Sequence, residues 1–337
     1  MNEKASRIAI FGAGSWGSTL AWLFSSHGRE VSVWVRQTEK VDLIKHHRHP
    51  KAGATVPTLV RISSEMSEAV DGAEVILFCC TSQSMREVAG NFYKTWQTVG
   101  LDGRQKPILV TCAKGFELSS LKRMTEVLQE CAPGFSVAAL SGPNLAGEIA
   151  KGLPTATVVA AEDSQVAASV QVALSVQSFR VYTNDDVIGV ELGGALKNIF
   201  AVASGCVDGL GLGTNAKATL LTRGLVEMAR VSHKLGGRPA TMTGLAGMGD
   251  LFATCSSELS RNYRLGKQIV EGASIADVIN NLGGVAEGVW TAEAVCEMAK
   301  KYSIDLPIVE QINATLKGKT TPEHAIMTLM TRPLSSE

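Results

Sequence analysis

Lys197 stands within residues 189–205, GVELGGALKNIFAVASG, where almost every neighbour is small or apolar. Burying an ammonium is costly unless something pairs with it. The positions three and four residues earlier, which face it across one helical turn, are Gly193 and Gly194. Lysine side chains lean toward the helix N-terminus. The spacing therefore predicts an ammonium over bare backbone, with room for a cofactor ring or a small substrate. The plainer alternative is a lysine that snorkels to solvent from a helix end. Asn198, next in the chain, could add a polar contact.

A partner for that charge is available further on. Gly244, Gly247 and Gly249 crowd before Asp250 in TGLAGMGDLFATCSS, so the backbone there is expected to pass something closely. The Asp250 carboxylate could hold both Lys197 and a substrate hydroxyl. Ser260, Arg261 and Asn262 offer a hydroxyl, a guanidinium and an amide near an expected helix start, a set that suits a phosphate dianion. An N-cap serine followed by a solvated arginine is the alternative. Residues 283–292, GGVAEGVWTA, hold one acid, Glu287, in an otherwise apolar glycine-rich run.

A second group of residues reads as a nucleotide site. Gly12, Gly14 and Gly17 have the G-x-G-x-x-G spacing between an expected strand and helix. That spacing supplies the tight turn, close approach to a pyrophosphate, and free helix N–H groups. At the end of the second strand stands Arg36, where an Asp or Glu would grip the ribose hydroxyl of NAD. A guanidinium can pair with a 2′-phosphate, so NADP(H) is favoured and NAD(H) remains possible. A solvated arginine is the other reading. Lys114 follows the strand at 108–112, and the turn Gly142-Pro143 leads into a helix near Asn144. Both fall at carboxyl ends of strands, where open parallel sheets bind ligands. Each also has an ordinary reading, as a surface lysine and a tight turn.

The elements that must position these residues divide the chain in two. From residue 7 to about 185, seven short β-branched runs alternate with helical stretches, from RIAIFGAG to FRVYTND. Runs apolar on both faces, separated by helices, predict a doubly wound, mainly parallel sheet of the Rossmann-like α/β class. After about residue 187 the strand signal stops and helices follow, giving an all-α second part. The expected domains are residues 1–187, binding dinucleotide, and 188–337, a helical substrate-binding part that carries Lys197. Thr321 and Pro322 fit the cap and first position of a final helix.

The bulk numbers agree with such a two-part globular chain. The chain has 337 residues, 45% hydrophobic and 19% charged, with 32 basic and 32 acidic residues. A net charge of zero argues against nucleic acid as a partner while allowing a local basic pocket. Seven scattered cysteines without a C-x-x-C pair fit reduced thiols and a cytoplasmic location. The first 24 residues mimic a signal peptide, but glycines and hydroxyl residues punctuate the apolar run. No run of 18 or more apolar residues occurs elsewhere, so no membrane span is expected. No metal site is assigned.

Seven segments in order resemble the bacterial-type NAD(P)-dependent sn-glycerol-3-phosphate dehydrogenases. They are GAGSWG, KG at 114–115, SGPNLAGEIA, ELGGALKNIFAVASG, GLAGMGDLFATCSS, SRN and VAEGVWTA. The resemblance covers nearly the whole chain. It implies interconversion of dihydroxyacetone phosphate and sn-glycerol 3-phosphate, which supplies phospholipid synthesis, in a cytoplasmic homodimer. It makes Lys197 the proton donor and acceptor. It makes Lys114, Gly142, Asn144, Asp250, Ser260, Arg261 and Asn262 substrate contacts. It makes Ser15, Trp16, Arg36, Lys114, Ala146, Arg261, Val285 and Glu287 cofactor contacts. Residues 46–54 lack the tyrosine-containing pattern expected there, and Asn144 stands where the family often has Ser or Thr. Two rivals remain: a ketopantoate-type or hydroxy-acid reductase using NADP, and a dinucleotide sensor without catalysis.

Overall fold

The computed structural model describes residues 6–45, 60–100, 105–273, 277–278 and 286–334. The chain divides into two compact units, Met1–Glu191 and Leu192–Glu337.

The first unit is built on an eight-stranded sheet in the order β3-β2-β1-β4-β5-β6-β7-β8. The strands are β1 (Arg7–Phe11), β2 (Glu30–Trp34), β3 (Arg61–Ser63), β4 (Val75–Phe78), β5 (Ile108–Thr111), β6 (Val137–Ser141), β7 (Thr155–Ala160) and β8 (Phe179–Asn184). All pairs are parallel except β6 with β7, which run antiparallel. All seven expected strands are present. The eighth, β3, has three residues, too few to show a period of two.

Side chains alternate between the two faces of this sheet. Ile8, Ile10, Val75 and Leu77 join one apolar cluster, while Ala9, Phe11, Ile76 and Phe78 join another. Both faces are thus dry, which explains why β4 reads VILF without a polar residue. Helix α1 (Ser15–Ser26) adds Leu20, Leu23 and Phe24 to the first cluster. Helix α4 (Met85–Thr98) adds Phe92 and Trp96 to the second. There Phe92 meets Phe11, Phe78 and Phe135 with ring centroids 5.2–6.2 Å apart. Such pairs add about 0.5–1.5 kcal/mol each beyond area burial.

Strand order reverses between β1 and β4, so a crevice is expected beyond their carboxyl ends. Gly12 follows β1 there with φ +106, a conformation that L side chains rarely adopt. A Cβ on Gly12 would lie 3.0 Å from the Cys79 carbonyl oxygen beyond β4, so only glycine lets these ends close up.

The second unit is helical. We label its helices α8 (Val187–Gly209), α9 (Gly213–Lys234), α10 (Asp250–Cys255), α11 (Arg261–Val270), α12 (Glu287–Tyr302), α13 (Pro307–Leu316) and α14 (Pro322–Met330). The intervening labels α2 (Thr38–Lys45), α3 (Met66–Val70), α5 (Met124–Cys131), α6 (Ala146–Ile149) and α7 (Ser164–Leu174) belong to the first unit. Helix α8 begins at Val187, before the division of the chain after Glu191, and runs on through it. By length and composition it could cross a membrane, with a mean hydropathy of 1.4 over its tested window. However, 83% of that window is buried, which marks the core helix of a folded unit. Glu191, Lys197, Asn198 and Asp208 interrupt it, so it holds no unbroken run of 18 apolar residues.

Glycines let α8 pack backbone against backbone. A Cβ at Gly205 would run into the Tyr263 carbonyl, and one at Gly266 into the Val202 carbonyl, so α8 and α11 touch without side chains between them. Thr321 caps α14 by accepting from His324 N at 3.3 Å, with Pro322 at its first position.

Candidate active site

Lys197 is 7% exposed and Asp250 1% exposed. The Lys197 Nζ lies 2.5 Å from Asp250 Oδ1 and 2.6 Å from Thr254 Oγ1. Thr254 in turn lies 3.3 Å from Asp250 Oδ1, one turn along α10. The sequence-predicted pair is therefore together, and the solvent-directed lysine is excluded. Thr254 was not anticipated; its position four residues after Asp250 is the signal that could have exposed it.

The space beside Lys197 differs from expectation. A Cβ at Gly193 would collide with the Ala246 carbonyl and sit 3.2 Å from Gly247 N. The bare backbone at Gly193 is covered by the π-helical turn Leu245–Gly249, not left open for a ligand. Gly194 is buried as well. The glycine serves close packing, and this packing carries Asp250 to the lysine. π-Turns of this kind recur at functional sites.

The adjacent polar residues are knitted together. Asn262 Nδ2 donates to Asn198 Oδ1 at 2.9 Å, and Asn262 Oδ1 accepts from Gly288 N at 3.0 Å. Asn262 thus links α8 to the first turn of α12, where Glu287 is half-buried. Ser260 caps α11 by accepting from Tyr263 N at 3.2 Å. Residues 260–262 do not form one flat cradle: Ser260 and Asn262 are buried, whereas Arg261 is exposed.

In the first unit, the three glycines of the predicted nucleotide loop do separate jobs. Gly14 is exposed and a Cβ there would meet nothing within 4 Å, leaving a cradle that a ligand can approach. Gly17 is buried in α1, where a Cβ would collide with the Gly12 carbonyl. Ser15 and Trp16 are half-buried at the start of α1. This arrangement fits a dinucleotide pyrophosphate at a helix N-terminus. Arg36 is exposed just past β2, 3.5 Å from the exposed Glu87 carboxylate. Such an ion pair is worth about 0–1 kcal/mol and does little to hold the guanidinium.

Lys114, half-buried after β5, donates from Nζ to the Gly142 carbonyl at 2.9 Å. The expected neighbours of the strand rim, Lys114 and the Gly142 turn, are brought together. Asn144 donates from Nδ2 to Thr157 Oγ1 at 2.9 Å. Ala146 opens the short helix α6 and is half-buried. Val285 and residues 46–54 lie outside the described residues.

The start of α8 is held within the first unit. Glu191 accepts from Arg123 Nη1 at 2.6 Å, Thr125 N at 2.8 Å and Thr125 Oγ1 at 2.5 Å. Burial pushes its carboxyl up, opposed by the Arg123 charge and these hydrogen bonds. None of the seven cysteines is in a disulfide, and burial pushes Cys206 and Cys255 up to about 12, far from a reactive thiolate.

A doubly wound nucleotide-type unit, followed by a helical unit that buries one lysine on an aspartate, defines a two-domain NAD(P)-dependent dehydrogenase. Family models described as the N-terminus and the C-terminus of NAD-dependent glycerol-3-phosphate dehydrogenase match residues 7–167 and 186–327. The chain belongs to the NAD-dependent glycerol-3-phosphate dehydrogenase family. It is 42% identical over 330 residues to glycerol-3-phosphate dehydrogenase [NAD(P)+] of Nostoc sp., covering 98% of both chains. It is 41% identical over 339 residues to the protein of that name from Citrifermentans bemidjiense, covering 99% of both. The crystal structure of glycerol-3-phosphate dehydrogenase from Coxiella burnetii aligns with a TM-score of 0.89 at 35% identity, covering 97% of this chain and 99% of that one. The two-part family match makes the ketopantoate-type reading the weaker one.

Proposed function

We propose that this chain interconverts dihydroxyacetone phosphate and sn-glycerol 3-phosphate with NAD(P)(H). The observation that carries this reading is the buried Lys197 ammonium gripped by Asp250 and Thr254, in a chain matched by both halves of the family. In the reducing direction, bound reduced nicotinamide supplies the hydride that the carbonyl carbon takes up. Lys197 Nζ stabilises the charge that develops on the carbonyl oxygen and donates the proton to it. Asp250 and Thr254 orient the ammonium before the reaction, so little reorganisation is needed when charge develops. In the reverse direction Lys197 takes the proton back.

The phosphate is bound by Arg261, whose exposed guanidinium is free to turn toward a dianion. Asn262 holds its own neighbours and adds a contact with its remaining N–H. Lys114, Gly142, Asn144 and Ser260 complete the substrate contacts. Gly12, Gly14, Ser15, Trp16 and Gly17 hold the dinucleotide, with Arg36, Lys114, Ala146, Arg261, Val285 and Glu287. Arg36 pairs with a 2′-phosphate, so NADPH is preferred over NADH. The protein works as a cytoplasmic homodimer and supplies glycerol 3-phosphate to phospholipid synthesis.

Mixing the protein with dihydroxyacetone phosphate and NADPH, and following the reduced-nicotinamide absorbance, tests the reaction. Ketopantoate in parallel separates the rival reductase. An NADH arm with wild type and Arg36→Ala tests the cofactor preference: the variant should lose NADPH affinity by roughly tenfold and leave NADH nearly unchanged. Equal loss for both cofactors refutes the role of Arg36.

A further inference from the structure

The turn at residues 141–144 depends on one residue that is fully buried, Thr157 of β7 (0% exposed). Its Oγ1 donates to the Ser141 carbonyl at 2.8 Å and accepts from Asn144 Nδ2 at 2.9 Å. A hydroxyl has a single proton, and the carbonyl can only accept it. The asparagine must therefore present its NH2 to Thr157, which fixes the orientation of the carboxamide. Gly142 lies between these two contacts with φ +140, and a Cβ there would stand 3.1 Å from both the Cα and the Oγ1 of Thr157. The Gly142 carbonyl is the group that holds Lys114 Nζ. One side chain thus touches Ser141, Gly142 and Asn144.

The turn needs such an anchor. Ser141 Oγ and Asn144 Oδ1 are both buried without a hydrogen-bond partner. Each unmet polar atom weakens the turn. Removing the Thr157 hydroxyl would take two hydrogen bonds from the turn, those to the Ser141 carbonyl and the Asn144 amide. The contact exists because β6 and β7 are antiparallel, with Ser141 opposite Val158. That pairing brings Thr157 under the turn that leaves β6.

We propose that Thr157 is a positioning residue for substrate binding. Its hydroxyl holds the 141–144 turn, and through it the Asn144 carboxamide and the carbonyl beneath Lys114, in the form that receives the phosphorylated substrate. The role rests on the functional reading above.

The test compares wild type, Thr157→Val, which keeps the shape and loses the hydroxyl, and Thr157→Ser, which keeps it. In Thr157→Val the KM for dihydroxyacetone phosphate should rise roughly tenfold, as expected for one to two lost hydrogen bonds. Because Lys114 is also a cofactor contact, the KM for NADPH should rise too, but by less than that for dihydroxyacetone phosphate, and Thr157→Ser should restore both. A packing role alone would leave Val near wild type or shift both KM values equally, with no rescue by Ser, and either result overturns the proposal. Crystal structures of wild type and Thr157→Val give a readout that needs no activity. The Asn144 carboxamide and the Lys114 ammonium should move, and an unchanged turn overturns the proposal. Inactivity of the wild type toward dihydroxyacetone phosphate would instead defeat the functional reading and leave the structural comparison to decide on Thr157. Thr157→Ala carries the same comparisons if the Val variant does not fold.

Discussion

Lys197 Nζ and Asp250 Oδ1 lie 2.5 Å apart although 53 residues separate them in the chain. Both side chains are buried, so neither charge would be tolerable alone. The pair is possible because Gly193, one turn before the lysine, admits the backbone of the turn that ends at Asp250. The close packing at Gly193 and the pairing of Lys197 with Asp250 are therefore one feature.

Replacing Lys197 by Met removes the proposed proton donor while keeping most of the side-chain volume. The kcat should fall by roughly 10²–10⁴-fold, the range for a positioned acid–base group. Circular dichroism should show a folded protein. Near-normal turnover would end the assignment of Lys197.

Gly193→Ala adds one methyl group where the Ala246 backbone already sits. Overpacking of this kind costs about 1–3 kcal/mol. Urea unfolding should show that loss, and kcat should fall because Asp250 moves with the displaced turn. A variant as stable and as active as wild type would mean that the turn is not held by this contact.

Arg261→Ala should raise the KM for dihydroxyacetone phosphate by about ten- to a hundredfold, the size of a charge-assisted hydrogen bond of ~1.5–3 kcal/mol. The exposed side chain makes a folding defect a poor rival explanation. An unchanged KM would remove Arg261 from the phosphate site.

Glu227 of α9 caps α13 from the side, accepting from Ile308 N at 2.8 Å and Val309 N at 3.1 Å. Burial raises its carboxyl from 4.5 to about 7, against the lowering effect of these two bonds. The folded state therefore holds a proton that the unfolded state has lost between pH 4.5 and about 7. Stability contributed by this group is greatest below that window and falls as pH rises through it, by on the order of 3 kcal/mol at most. Glu227→Gln cannot titrate. Its stability relative to wild type should improve steadily from pH 5 to pH 8 in chemical denaturation. A difference that does not vary with pH would show that the carboxyl does not titrate in this window.

Much of the architecture was legible in the residues because its causes are local. Strand β4 reads VILF because both faces are covered, and Gly12, Gly14 and Gly17 follow from torsion and close approach within six positions. Lys197 could be singled out because a lysine amid apolar residues is conspicuous without knowing its neighbours. The three-residue β3 was not legible, since it is shorter than any period that could reveal it.

The sequence by itself determined the class of fold, the glycine-rich turn after β1 and which lysine to single out as the candidate proton donor. These depend on residue types and on spacings shorter than two helical turns. Only the tertiary structure decided that the surface at Gly193 is filled by backbone, that Thr254 shares the lysine with Asp250, and that Thr157 sits beneath the 141–144 turn. These depend on which distant segments pack together, and in particular on the antiparallel pairing of β6 and β7. Both a parallel and an antiparallel strand with two dry faces read as the same apolar run, so strand direction emerges only when the chain closes on itself.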